Sequence, residues 1–340
     1  MQNGHNTAIG SGKGEKDMCT AVTFHSKDHY FGRTLDLEYH YDEQVVFTPR
    51  NFPFVFRMTD RKEHHHAIIG MATVVKSYPL YYEAVNECGL AAAGLNFPGN
   101  ACFYAPCRGK INLAPFEFIP WLLSECGNLA EARKRLEEIN LCDADFSPEY
   151  PASPLHWMIA DKTGAITVEC MKDGMRVFEN PIGILTNNPP FDYHMTRLAD
   201  FMNITGDEPE NRFGDVKLAR YSKGMGAIGL PGDLSSSSRF VRAAFVKLNS
   251  VNGESEEESV SQFFHILGSV NQQRGCARLP GGKNEITVYS SCINLDKGIF
   301  YYTTYENSCV SCVDMRKENP DGSRISVFAL SDRMIISRQN

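Results

Sequence analysis

This chain contains no long apolar run. No stretch reaches the roughly 18 residues of a membrane-spanning helix. No apolar h-region lies near the N-terminus, where Ala8-Ile9 is the only apolar pair before Met18, so a secretory signal is excluded. Basic residues form no cluster beyond short surface groups, and the formal net charge is -7, which argues against nucleic acid as the main partner. There is no Gly-rich phosphate loop and no Gly-x-Ser-x-Gly elbow, so neither a phosphate cradle nor that serine site is present. Linkers, internal repeats and low-complexity blocks are also missing. The eleven cysteines are odd in number and lack framework spacing, which fits reduced thiols and a cytoplasmic protein.

The 340 residues are 42% apolar and 22% charged, the balance of a globular chain with a large core. Residues 1–18 read as a leader, disordered or removed, and 19–340 as a single domain. Short β-branched or aromatic runs predict strands at Val22–Phe24, Tyr30–Leu35, Gln44–Phe47, Ala67–Val75 and Leu90–Phe97. Phe116–Cys126 predicts a buried helix, and Leu129–Ile139 an amphipathic one capped by Asn128. Strands return at Leu155–Ala160, Ile166–Met171 and Met175–Phe178. Helices follow near Arg239–Leu248 and Ser259–Leu267. The end is β-rich, at Ile286–Ile293, Gly298–Tyr305, Ser311–Met315 and Ile325–Ala329. Strands at both ends with helices between them predict an α+β fold, two antiparallel sheets covered by helices in an αββα four-layer sandwich.

The first candidate for chemistry is Cys19, which follows Met18 and opens a β-like run. Exposed as an N-terminus, it would carry a thiol and an α-amine whose ordinary pKa of about 7.7–8.0 suits it to activate that thiol. Arg33 and Asp36 follow Gly32; a cation favours thiolate, and a carboxylate orients the amine. Asn96 and Asn187 each end an apolar run, where asparagine is a turn former or a neutral donor for an oxyanion. Arg239 follows the serine run Ser235 to Ser238, which is suited to an N-cap, and lies in the first turn of a predicted helix, where a cation opposes the helix dipole. His64-His65-His66 reads as an exposed polar segment rather than a metal site, because adjacent strand residues face opposite ways. The lone Cys309-x-x-Cys312 reads as incidental.

Together these residues resemble the choloylglycine hydrolase family, and within it the bacterial bile salt hydrolases. The markers are Met18-Cys19-Thr20, Phe31-Gly32-Arg33 with Asp36, Thr48-Pro49-Arg50-Asn51, Gly94-Leu95-Asn96-Phe97, Leu155-His156-Trp157, Leu185-Thr186-Asn187-Asn188-Pro189, Gly229-Leu230-Pro231-Gly232-Asp233, Ser238-Arg239-Phe240 and Thr304-Tyr305-Glu306-Asn307. The resemblance covers residues 18 to about 340. It implies the N-terminal nucleophile hydrolase fold, with Cys19 as nucleophile, Arg33 and Asp36 as its charged neighbours, Asn96 and Asn187 at the oxyanion positions, and Arg239 as the remaining active-site arginine. It implies hydrolysis of bile acid amides of glycine or taurine through a thioester, with no metal or cofactor, and a homotetramer whose assembly arm lies between Phe191 and Gly229. Ser222, Lys223 and Gly224 lie where members differ in glycine or taurine preference; Lys223 replaces an arginine, and the two are not equivalent. Penicillin V acylases share fold and nucleophile but tend to have tyrosine at the position of Asn96. A non-catalytic steroid-binding homologue is the alternative from another class. Seventeen residues precede Met18, where most bile salt hydrolases have none. The leader is either a start-site artefact or a removed propeptide, and its few apolar residues favour the artefact.

Overall fold

The computed structural model describes residues 18–340. The expectations for the leader fall outside the described residues. Two antiparallel sheets are stacked face to face. The first, seven strands, runs in space as Ile184–Leu185, Cys19–His25, His29–Leu37, Asn284–Asn294, Ile299–Thr304 and Ser311–Asp314, with Ala277–Arg278 paired to the side. The second, eight strands, runs as Gly174–Glu179, Gly164–Met171, Leu155–Asp161, Ala91–Asn96, Tyr78–Asn86, Ile68–Val75, Gln44–Thr48 and Ser326–Ala329. Helices Ser236–Asn249 and Glu256–Gly268 cover the first sheet, and helices Phe118–Glu125 and Leu129–Leu136 cover the second. The chain therefore adopts the expected αββα sandwich.

Local sequence sets the ends of these elements. Asn128 accepts the Glu131 N–H and starts helix Leu129–Leu136 as expected. Ser255 and Glu258 close a capping box on helix Glu256–Gly268. The strand Cys19–His25 turns at residues 26–28 into His29–Leu37, pairing Cys19 with Leu35 and Ala21 with Arg33. At Gly32 a Cβ would lie 2.0 Å from the Ser291 carbonyl oxygen, so only glycine lets these two strands approach this closely.

One core cluster fills the space between the sheets and under helices Ser236–Asn249 and Glu256–Gly268, with Ala21, Leu95, Met158, Phe240, Phe263 and Ile293 among its members. Another, including Trp121, Leu122 and Trp157, packs the far side of the second sheet. Burial of such side chains stabilises a fold by about 1.5–3 kcal/mol each.

Some features differ from the sequence expectations. The helix from Leu129 ends at Leu136, and Ile139 begins a short strand, Ile139–Leu141. Tyr78–Asn86 is a strand at the centre of the second sheet, although Pro79 and Glu83 break its apolar pattern. Pro79 sits at its second residue, where a missing N–H is tolerated. Phe191–Leu198 is a helix starting directly after Pro189-Pro190. His65 is not exposed: its ring nitrogens lie 2.6 Å and 2.8 Å from the His66 and Phe52 carbonyls, and burial pushes its pKa down. His64 and His66 face outward, and among the described residues no cluster suited to a metal ion forms.

Candidate active site

Cys19 opens the inner strand of the first sheet and is buried. Its backbone N–H donates to Asn187 Oδ1 at 2.9 Å. The same oxygen accepts Arg239 Nη2 at 2.7 Å. Arg239 Nη1 donates to the Cys19 carbonyl at 2.5 Å and to Thr20 Oγ1 at 2.6 Å. Asn187 Nδ2 donates to the Asn96 carbonyl at 2.8 Å, which joins the two asparagines. The amide orientation of Asn187 follows from these partners, because a guanidinium only donates and a carbonyl only accepts.

Arg33 projects from the second strand into the space between the sheets. Nη1 donates to the Gly94 carbonyl at 2.5 Å and Nε to the Thr34 carbonyl at 3.2 Å. Burial disfavours its charge, but attraction to Cys19, Tyr289, Glu83 and Asp36 outweighs this and holds it firmly protonated. Glu83 Oε2 lies 3.8 Å from Arg33 Nε and accepts the Tyr289 hydroxyl at 2.8 Å. Burial pushes the Glu83 carboxyl up to about 7, against the pull of Arg33.

Asp36 is fully buried. Its oxygens accept the Thr287 hydroxyl at 2.6 Å and the Thr34 hydroxyl at 3.1 Å. Burial pushes its pKa up to about 6, while Arg239, these hydroxyls and Arg33 pull it down. Its backbone N–H donates to the Met18 carbonyl at 3.1 Å, and the Met18 N–H reaches Glu285 Oε1 at 2.5 Å. The residue before Cys19 is thus held on both sides. Two guanidinium groups and the carboxyls of Asp36, Glu83 and Glu285 share one buried region. Charges so desolvated persist only when mutually paired.

Arg239 sits in the first turn of helix Ser236–Asn249, as expected, and it is fully buried. Burial lowers its pKa, opposed by Asp36, Cys19 and Glu285. Ser235 is the N-cap residue, as the serine run suggests, but among the described residues its hydroxyl takes no helix N–H. Asp233, two residues earlier, accepts the Ser235 N–H at 2.9 Å and the Ser238 hydroxyl at 2.6 Å, which draw its pKa down to about 2. Ser236 instead accepts the Asn187 N–H at 2.8 Å. So Cys19, Asn96, Asn187 and Arg239 form one hydrogen-bonded group, with Arg33 and Asp36 charge-coupled to it.

The described hydrogen bonds and ion pairs of Ser222, Lys223 and Gly224 lie outside this group. Lys223 is 96% exposed and its described ion pair is with Glu208 at 3.4 Å. Ser222 donates to the Lys223 carbonyl. Gly224 has φ +74, which favours glycine. The residues missed from sequence are Glu83, Thr287, Tyr289 and Ser236. Only Ser236 had a signal, in a serine run read as a cap.

Residues 19–328 match the profile of the linear amide C–N hydrolases, choloylglycine hydrolase family. The chain belongs to the choloylglycine hydrolase family. It is 49% identical over 314 residues to a bile salt hydrolase/transferase of Lactiplantibacillus plantarum, covering 92% of this chain and 97% of that one. It is 38% identical over 330 residues to a bile salt hydrolase/transferase of Clostridium perfringens, covering 95% and 100%. A crystal structure of a mutant of the conjugated bile acid hydrolase from Clostridium perfringens superposes with TM-score 0.88 at 37% identity, covering 95% of this chain and 100% of that one. Penicillin V acylase from Agrobacterium tumefaciens shares the fold, with TM-score 0.73 at 17% identity over 92% of this chain and 91% of that one. The family's activity makes this chain a hydrolase of linear amide bonds with the N-terminal nucleophile fold.

Proposed function

We propose that residues 19–340 form one catalytic domain that hydrolyses the amide of glycine- or taurine-conjugated bile salts, with Cys19 as the nucleophile. The observation that carries this is Asn187 Oδ1, which accepts both the Cys19 N–H and Arg239 Nη2. Once Met18 is removed, that N–H belongs to an α-amine already oriented beside the thiol. The thiolate attacks the substrate carbonyl, and Arg33 favours its charge. Side-chain amides of Asn96 and Asn187 take the oxyanion. The C–N bond breaks as the α-ammonium gives its proton to the leaving glycine or taurine nitrogen. Water then attacks the thioester, releasing the bile acid and restoring the thiol.

The bile salt reading is supported by relatives whose printed names state that substrate, at 49% and 38% identity. The stretch from Phe191 to Gly229 serves as the assembly arm of a homotetramer. Exposed Met202, Phe213, Val216, Leu218 and Tyr221 support this, because a monomer seldom displays so many large apolar side chains together. A cytoplasmic location follows from the cysteine usage. Ser222, Lys223 and Gly224 are proposed to set glycine or taurine preference.

The test is amine release from glycocholate by a chain beginning at Met18, beside the full chain. Turnover by the short form, abolished by Cys19→Ala, is expected. Inert glycocholate with cleaved penicillin V would move the chain to the acylase branch. Steroid binding with no turnover of either substrate would make it a binding homologue.

A further inference from the structure

The turn carrying Asn187 is gripped from behind by two buried histidines that take no part in the proposed reaction. His156 Nε2 lies 2.9 Å from the Thr186 carbonyl oxygen, and Nδ1 lies 3.0 Å from Glu169 Oε1. The ring lies 4.3 Å from that of Phe97 at 7°. Phe97 directly follows Asn96, so one imidazole backs both asparagines. On the opposite side, His194 Nε2 lies 2.9 Å from the Asn187 carbonyl oxygen, and its ring stacks 5.0 Å from Phe240, the residue after Arg239. Glu169 links the two histidines, since Oε1 also accepts the Phe191 N–H at 3.0 Å, at the start of the helix that carries His194.

The hydrogen bonds define the proton positions. A carbonyl oxygen only accepts, so Nε2 of each ring carries hydrogen. Burial pushes the pKa of His194 down to about 4, against the pull of the Asn187 and Pro189 backbone, so this ring is neutral. His156 differs: both of its ring nitrogens are engaged, Nε2 with the Thr186 carbonyl and Nδ1 with Glu169 Oε1, so the ring is fixed in orientation.

We propose that His156, braced by Glu169, is together with neutral His194 a positioning device for Asn187 and, through Phe97, for Asn96. It fixes the peptide carbonyls on both sides of the Asn187 Cα, while Ser236 holds its N–H. The side-chain amide is left where an oxyanion donor must stand, and displacing such a group by about 1 Å costs on the order of 10²-fold in rate. This rests on the reading of Asn96 and Asn187 as oxyanion donors.

The experiment measures kcat and KM for glycocholate across a set of variants, with the melting temperature of each. In Glu169→Gln, kcat falls roughly 10- to 100-fold with KM within about twofold. His156→Leu falls as far or further. His156→Gln, whose amide reaches toward the same carbonyl, recovers part of that loss. Ile166→Val, a buried change on the same strand as Glu169, lowers the melting temperature and leaves kcat unchanged. A folded Glu169→Gln or His156→Leu enzyme with wild-type kcat overturns the positioning role, and so does a His156→Gln enzyme that recovers nothing of the His156→Leu loss. Wild-type kcat in Asn187→Ala sinks the oxyanion reading and this role with it. Inert glycocholate with cleaved penicillin V would sink the substrate assignment alone, and the same variants are then read on penicillin V.

Discussion

Arg239→Lys separates charge from geometry at the nucleophile. The guanidinium serves the Cys19 carbonyl, Thr20 Oγ1, Asn187 Oδ1 and the Leu234 carbonyl at once. A lysine ammonium keeps the charge but is a single point, and it cannot span these acceptors. When it settles on the Cys19 carbonyl, Asn187 Oδ1 loses its guanidinium donor. The amide that orients both the Cys19 N–H and the oxyanion position is then held only by the Cys19 N–H and the Asn96 carbonyl. One charged hydrogen bond is worth about 1.5–3 kcal/mol. Expressed in the transition state, that is about a 10- to 150-fold fall in kcat. KM stays within about twofold, because the arginine sits behind the nucleophile. Glycine release from glycocholate gives both constants, and circular dichroism confirms the fold. A folded Arg239→Lys enzyme within about twofold of wild-type kcat would refute the reasoning.

Two further outcomes follow from the buried charges. Asp36 is pushed up to about 6 by burial, so kcat/KM falls as pH drops through about 6, while a flat profile from about pH 5 to 7 would contradict its role. Stability moves the other way. Folded Asp36 binds its proton more tightly than the unfolded group of ordinary value 3.8, so its contribution declines as pH rises from about 4 to 6, read as the wild-type minus Asp36→Asn difference. Asp233→Ala removes the acceptor of the Ser235 N–H and the Ser238 hydroxyl at the start of the helix that carries Arg239, and costs about 1 kcal/mol in denaturant unfolding; an unchanged midpoint would show that these two bonds add no net stability.

Legibility of the sequence varied with how local the signal was. The strand behind Cys19, the cap at Asn128 and the strand ending at Asn96 all lie close to their sequence expectations, because alternation and capping act within a few residues. Arg239 was marked by its conflict with the helix dipole, and its burial against Cys19 and Asn187 resolves that conflict. Partners far apart in the chain left no trace. Glu83 meets Arg33 across the gap between sheets from a strand that Pro79 and its own charge disguised. Thr287 meets Asp36 across 251 residues. Ser235 holds the N-cap position, yet Asp233, two residues earlier, is the side chain that takes an N–H there. His65 looked like part of a polar surface, but two backbone carbonyls satisfy its ring inside the core.

The central claim is that Cys19, as an N-terminal residue, carries the acyl group. The most direct measurement is intact and peptide mass spectrometry of the Met18-start enzyme after acid quenching with glycocholate. A cholyl group on an N-terminal Cys19 is the result this account predicts. Turnover with Met18 still attached, or an acyl group on another cysteine, would contradict it.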